Sequence, residues 1–391
     1  MGKDDQEHFN QYTPQNRVKH AVLEKYFAAY LKALQGTVGA FHYIDGFAGG
    51  GVYQNEFAGS PLIAMRLLEA QALPFAFTCI EKDAKLFESL KETLNACPRS
   101  AKLVQDPILR LGEFTDHIDT ALNADIYSQY RKVATFAFID PCGASGVLMN
   151  DIEKVLARPF SECLLFWNYD GIKRWLGGLS AGTHPGEGLA KLFGSAEYVR
   201  EAQALVASGD PGEGQEKGLL RLFLKALNGR RAKFTLPFRV EAKDRDRTSH
   251  YLIHCSSHWL AFKIMKDIMG GLTIETTEAG SFEFSSAAKT RSLFTPGADL
   301  ARDNVIAELK VSARRVGLFT EEWIRRADDY YREKDYKELL LAMESSGDIE
   351  VLAKDWRTPA PRESRRAGRG GGPTLGNDLI VRLKKVTSGN P

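Results

Sequence analysis

The chain has 391 residues, which at roughly 150 per domain predicts two to three domains. Apolar residues make up 43% and charged residues 26%, a globular composition that excludes a wholly disordered or collagen-like chain. Lys plus Arg number 52 against 50 for Asp plus Glu, so a polyanion-binding surface would need its cations grouped. No apolar run approaches a membrane span, and the N-terminus MGKDDQEHFNQ is too polar for a signal peptide. The five cysteines are scattered, odd in number and form no CxxC pair, which predicts a reducing, cytoplasmic setting with neither a disulfide framework nor a zinc cluster.

In chain order, a helix is expected over Asn16 to Leu34, where Val18, Val22, Tyr26, Ala29, Tyr30 and Ala33 recur at intervals of three and four. Gln35 and Gly36 stop it. Short apolar runs follow, AFHYIDGF, PFAFTCIEKD, KLVQDP, TFAFIDP and CLLFWNYD, each ending in a carboxylate or amide. Helical stretches SPLIAMRLLEAQA, KLFESLKETLNA and NDIEKVLA lie between them. This alternation predicts an α/β fold with a mostly parallel sheet covered on both faces. A helical insertion is expected over about 171–231, then an antiparallel strand pair, FTLPFRVEAK and SHYLIHCSS, and the helix HWLAFKIMKDIM. The expected domains are 1–290 and 300–391, with the boundary in a stretch poor in helix formers.

Parallel sheets bind ligands beyond the carboxyl ends of their strands. The polar residues closing these runs, Asp45, Glu81, Asp106, Asp140 and Asn168, are therefore candidates for a shared crevice, although Asp and Asn also cap helices there. The glycine-rich turn from Asp45 to Gly51 lets backbone approach a ligand. Glu81 is placed to accept ribose hydroxyls, and Asp106 to reach a purine amino group.

In this order the motifs resemble those of class I S-adenosylmethionine-dependent methyltransferases. KHAVLEKY, DGFAGGG, GSPLIA, CIEKD, FIDPCG and YLIHCSSHWLAFKIM, between Lys19 and Met269, resemble more closely the three-Cys-motif partner protein family, TcmP. The resemblance implies a Rossmann-like methyltransferase sheet with an antiparallel final strand, S-adenosylmethionine as cofactor (S-adenosylhomocysteine as product), and a three-Cys-motif protein as a possible partner. It implies that Asp45, Phe47, Gly49 and Gly51 line the methionine part of the cofactor, that Glu81 holds the ribose and that Asp106 faces the adenine. Phe47 stands where many such enzymes have their first glycine, and Cys142 replaces the aromatic residue usual after Asp-Pro.

Asp140 then suits the methyl acceptor, accepting a hydrogen bond from an amine or a proton from a hydroxyl, with Asn168 beside it. The alternative for Asp140 is a helix cap. Cys142 is either a packed small residue or a thiolate nucleophile of the kind used on cytosine carbon 5. Lys173, Arg174 and Trp175 suit a phosphate and a stacked base, or an ordinary amphipathic helix start. Lys19 and His20 match a Lys-His pair of the family, and otherwise read as a solvated helix face. His184, His250, His254 and His258 form no metal motif and read as packing or surface residues.

From Ala301, three helices and two strands with a long loop between them give the order of a winged helix-turn-helix domain. Between Thr358 and Pro391 the sequence has seven cations, Arg362, Arg365, Arg366, Arg369, Arg382, Lys384 and Lys385, against Glu363 and Asp378. An Arg/Gly-rich wing, with Arg365, Arg366 and Arg369 as phosphate contacts, predicts binding of DNA or RNA. A disordered basic tail beside a protein-docking domain is the alternative. The expectation is a nucleic-acid methyltransferase with no membrane association. An accessory partner of the three-Cys-motif protein and a small-molecule methyltransferase are the other readings.

Overall fold

The computed structural model describes residues 14–53, 57–141, 143, 146–182, 186–207, 213–241, 248–272, 282–284, 296–325, 331–362, 365 and 374–384. The chain divides into two compact units, the change falling between residues 272 and 287.

The first unit opens with helix α1 (Pro14–Leu34), followed by β1 (Ala40–Asp45), α2 (Ser60–Ala70), β2 (Phe75–Glu81), α3 (Ala84–Asn95) and β3 (Ile108–Leu111). Next come α4 (Phe114–Ala121), α5 (Ile126–Gln129), β4 (Val133–Ile139), α6 (Met149–Leu156) and β5 (Glu162–Trp167). Four helices, α7 (Tyr169–Ser180), α8 (Gly186–Phe193), α9 (Ala196–Ala207) and α10 (Glu213–Asn228), precede β6 (Phe234–Glu241), β7 (Thr248–Ser256) and α11 (Trp259–Leu272).

The strands form one sheet in the order β3-β2-β1-β4-β5-β7-β6, with the short β8 (Phe282–Phe284) beside β6. Neighbours from β3 to β5 run parallel, whereas β7 runs antiparallel to both β5 and β6. This is the strand order and direction of the Rossmann-like class I methyltransferase sheet. Every residue of β1, β2, β4 and β5 is buried, as continuous apolar runs covered on both faces require. On one face Tyr26, Phe27 and Tyr30 of α1 pack against Phe136, with ring centroids 5.1 to 6.0 Å apart. A cluster including Phe114, Ile139, Trp167, Leu189 and Phe223 packs α4 and the helices α6 to α10 together with the sheet.

One expected strand moves. The run KLVQDP contributes a single bridge, Phe75 to Leu103, and the chain then bends. The third strand starts after Pro107, whose ring fixes φ and removes a donor.

The second unit contains α12 (Pro296–Val311), β9 (Arg314–Arg315), α13 (Val316–Ile324), α14 (Glu333–Ser345), β10 (Ile349–Leu352) and β11 (Ile380–Leu383). Its antiparallel sheet has the order β10-β11-β9, with Ile349 opposite Leu383 and Ile380 opposite Arg315. Val305, Phe319, Trp323, Tyr336, Leu340 and Ile380 are buried. Helix α13 begins earlier than the TEEW pattern suggests. Val316 N–H donates to the Leu379 carbonyl at 2.8 Å and Gly317 N–H to that of Asn377 at 3.0 Å, so two amides of its first turn are paired without a capping side chain.

Among the described residues, no helix is long and apolar enough to cross a membrane, and no group of three His, Cys, Asp or Glu could hold a metal ion.

Candidate active site

The glycine-rich turn leaves the carboxyl end of β1 at the centre of the sheet. Gly46 N–H donates to the Phe138 carbonyl at 2.9 Å and Ala48 N–H to that of Ile80 at 3.0 Å, pinning the turn between β4 and β2. Gly46 cannot carry a side chain: a Cβ there would lie 2.7 Å from the Phe114 ring. Gly49 has φ of +61°, and a Cβ there would meet nothing within 4 Å, so this residue borders open space.

The turn's residues divide into two roles. Asp45 does not line the crevice as expected; it is fully buried behind the turn. Its carboxyl accepts from the Tyr43 hydroxyl at 2.9 Å and Phe47 N–H at 3.3 Å, with Ser60 as a third partner. Burial raises its pKa to about 7 against those hydrogen bonds. Gly51 is likewise structural: its carbonyl accepts from Gly59 N–H at 2.8 Å, and Thr93 of α3 leaves little room for a Cβ. Phe47 and Gly49 remain at the crevice, with the Phe47 ring 6.0 Å from that of Phe114 and 3.4 Å from a Cβ position on Gly146.

Glu81 closes β2 as expected. Its two oxygens accept from Gly49 N–H and Asp83 N–H, each at 2.8 Å, and Asp83 caps α3 through Lys85 and Leu86 N–H. A carboxylate has about four acceptor positions, so two remain for a ligand's hydroxyls.

Asp106 is a correction. It precedes β3 instead of closing it, its side chain is 89% exposed, and Arg99 pairs with it at 2.6 Å. The carboxylate past the carboxyl end of β3 is Glu113. Its Oε2 is buried 3.5 Å from a Cβ position on Gly146 and has no hydrogen-bond partner among the described residues. The sequence signal was the LGEF run after the shifted strand.

Beyond β4 lies the second half of the site. Asp140 is paired with Lys19 of α1 at 2.5 Å, their side chains 16% and 9% exposed. Lys19 Nζ also lies 4.4 Å from the centre of the Phe166 ring, which His250 of β7 stacks on at 4.2 Å. His20 is buried and packs 5.6 Å from the Tyr53 ring. Burial first, and the Lys19 charge second, lower the pKa of both His20 and His250 to about 3, so both imidazoles are neutral near pH 7. Lys19 and His20 are therefore not a solvated face. Lys19 lies four residues before Leu23 and seven before Tyr26, on the stripe that α1 buries, and that spacing was the available signal.

Asn168 follows β5 and caps α7, its Oδ1 accepting from Gly171 N–H at 2.8 Å. Its Nδ2 is the group left to donate toward a ligand. Lys173 lies 6.0 Å from the centre of the Tyr169 ring, and Arg174 is exposed with Nε donating to the Asp170 carbonyl at 3.3 Å. Trp175 is partly buried and packs against Gly188 and the apolar cluster.

Arg365 is a second correction. Its side chain is 4% exposed and holds both oxygens of Glu344 on α14, at 2.6 and 2.7 Å, so it is not available to a phosphate. Arg362 joins the same carboxylate at 3.3 Å, and Arg382 pairs with Glu350 at 2.7 Å. Cys142, Arg366 and Arg369 lie outside the described residues.

No protein-family model and no curated protein sequence matches the chain. Among the solved structures that the chain resembles are two that are similar over 61% of this chain and 85% of theirs. One is a Legionella pneumophila protein of family DUF519, 9% identical with a TM-score of 0.37. The other is the plantazolicin methyltransferase BamL, solved with a desmethyl plantazolicin analogue and S-adenosylhomocysteine, 13% identical with a TM-score of 0.27. Neither likeness is close enough to bear on activity.

Proposed function

We propose that the chain is an S-adenosylmethionine-dependent methyltransferase acting on a nucleic acid. One observation carries this reading. On a sheet of this strand order, the Gly49 turn, Glu81, Glu113 and Asp140 follow the carboxyl ends of β1, β2, β3 and β4 in turn. The open space at Gly49 and the unpartnered oxygen of Glu113 suit the cofactor's bulk and its adenine amino group.

When bound, the cofactor supplies a methyl group made electrophilic by its sulfonium. Glu81 would hold the ribose hydroxyls with its spare lone pairs, and Glu113 would accept from the adenine amine. Phe47 and Gly49 would bound the methionine part. Asp140 is the group for the acceptor, taking a hydrogen bond or a proton from the attacking amine or hydroxyl. Lys19 keeps that carboxylate oriented, and the Asn168 amide, at the end of the next strand, is the donor offered to the acceptor. If the acceptor is a base, it must leave its stack to reach this point.

Support for a polymeric acceptor comes from Lys173 and Arg174 on α7, directly after Asn168, and from the winged-helix order of the second unit. The TcmP resemblance adds a three-Cys-motif protein as a proposed partner. The pairing of Arg362, Arg365 and Arg382 favours a second reading, a methyltransferase of small molecules.

Incubation with methyl-labelled cofactor and separate pools of RNA, DNA and small metabolites tests the choice. Nuclease-sensitive label in one polymer pool is the expected result. Label confined to the small-molecule pool overturns the nucleic-acid reading, and label in no pool overturns the enzyme reading.

A further inference from the structure

The second unit carries a turn whose construction is not explained by packing. After β10 the chain reverses over Ala353 to Thr358, closed by Ala353 N–H donating to the Thr358 carbonyl at 2.8 Å and by a bridge from Leu352 to Pro359. At its tip Trp356 has φ of +65°, the left-handed region that a bulky side chain adopts only at a cost. The indole gains little burial in return, since Trp356 remains 43% exposed. The cost is met within the turn. Trp356 N–H donates to the Ala353 carbonyl at 3.0 Å, and the Asp355 carboxylate accepts from Arg357 N–H, Thr358 N–H and the Thr358 hydroxyl.

These bonds occupy the turn's one acid and leave its cations outward. Lys354 and Arg357, which precede and follow Trp356 in the turn, are both exposed, and neither has an ion-pair partner among the described residues. The neighbouring Arg362, Arg365 and Arg382 are tied to Glu344 and Glu350. An exposed aromatic ring in a hydrogen-bonded turn that also carries two exposed cations suits an unpaired base and its flanking phosphates. A duplex offers no open base face to such a ring.

We propose that the Ala353–Thr358 turn is a single-strand nucleic-acid contact, in which Trp356 stacks on an unpaired base and Lys354 and Arg357 hold the flanking phosphates. The proposal rests on the nucleic-acid reading above for its purpose. Its test reads binding and not methyl transfer, so the two can fail separately.

The test is fluorescence anisotropy of the full chain with short labelled mixed-sequence single strands of RNA and of DNA, and with a duplex. Trp356→Gly is the informative variant, because glycine takes the left-handed backbone without strain while the ring is removed. We expect single-strand affinity to fall roughly 5- to 150-fold, with a thermal midpoint no lower than that of the unaltered chain. Lys354→Gln with Arg357→Gln is expected to reduce the salt slope by about 0.7 for each phosphate that the protein no longer neutralises. Both side chains are exposed and unpaired, so this variant is expected to fold.

Binding by either strand type that weakens in both variants supports the contact. Unchanged affinity in Trp356→Gly, equal or tighter binding of duplex, or no single-strand binding at low salt overturns it. Loss of methyl transfer to nucleic acid with this pattern of binding intact would sink the enzymatic reading and leave the contact standing.

Discussion

Asp140→Asn is expected to lower methyl transfer by about 10²- to 10⁴-fold while cofactor affinity stays unchanged. The amide keeps the shape of the side chain but cannot take a proton, and it removes the charge that Lys19 faces at 2.5 Å. Because Lys19 is nearly buried, the single variant also leaves an ammonium without its counterion. Lys19→Met retains an aliphatic stem against Phe166 and discards the charge. If Lys19 works by orienting Asp140, the double variant is no slower than Asp140→Asn alone, and its thermal midpoint recovers part of what that variant lost. Additive losses of rate would show that Lys19 acts on something else. Full activity in Asp140→Asn would reduce the carboxylate to a structural tie between α1 and β4.

The second large effect concerns stability and pH. Asp45 is fully buried with a folded-state pKa near 7, against 3.8 for an ordinary aspartate. Above pH 7 both folded and unfolded chains carry its charge, and the folded chain bears the whole desolvation cost. As pH falls from 7 toward 4, the folded chain takes up a proton that the unfolded chain does not, so stability rises. Below 4 both states are protonated and the gain is complete. The ceiling on this contribution is about 4 kcal/mol.

Asp45→Asn abolishes that dependence. The amide offers one acceptor oxygen to donors that the carboxyl met with two, which adds an offset independent of pH. Chemical denaturation of both proteins across this range should show the unaltered chain gaining on the variant as pH falls. Parallel curves would mean that Asp45 is ionised in the fold and that the turn is held in another way.

Alternation of apolar runs with helical periodicity made the parallel sheet legible, since a doubly covered strand must be apolar at almost every position, as in VATFAFI. Glu81 and Asp140 were legible because a polar residue ending such a run lies at the carboxyl edge of the sheet, although Asp45 at the end of β1 is buried behind the turn. Asp106 misled for a local reason: KLV is apolar enough to read as a strand, yet Pro107 restarts the extended segment one step later, which transfers the edge position to Glu113.

Arg365 misled for a different reason. Charge counting treats cations as free, and nothing in the RESRRAGRG run announces that Glu344, some twenty residues earlier, will clamp two of them. The Lys19 to Asp140 pair spans 121 positions, so its partner could come only from the fold, and the reading of Lys19 as a solvated face overlooked its spacing of three and seven from the buried Val22 and Tyr26. Trp356 was invisible as a displayed ring, because its left-handed backbone depends on hydrogen bonds that composition does not encode.

The crevice at Gly49, Glu81 and Glu113 is the proposed seat of S-adenosylmethionine. Calorimetric titration of the full chain with the cofactor, beside Glu81→Ala, tests it most directly. Micromolar binding that weakens at least about tenfold in the variant is the result expected from losing a charged acceptor of two ribose hydroxyls. Absence of heat at several temperatures, or equal affinity in Glu81→Ala, would contradict the account at its root.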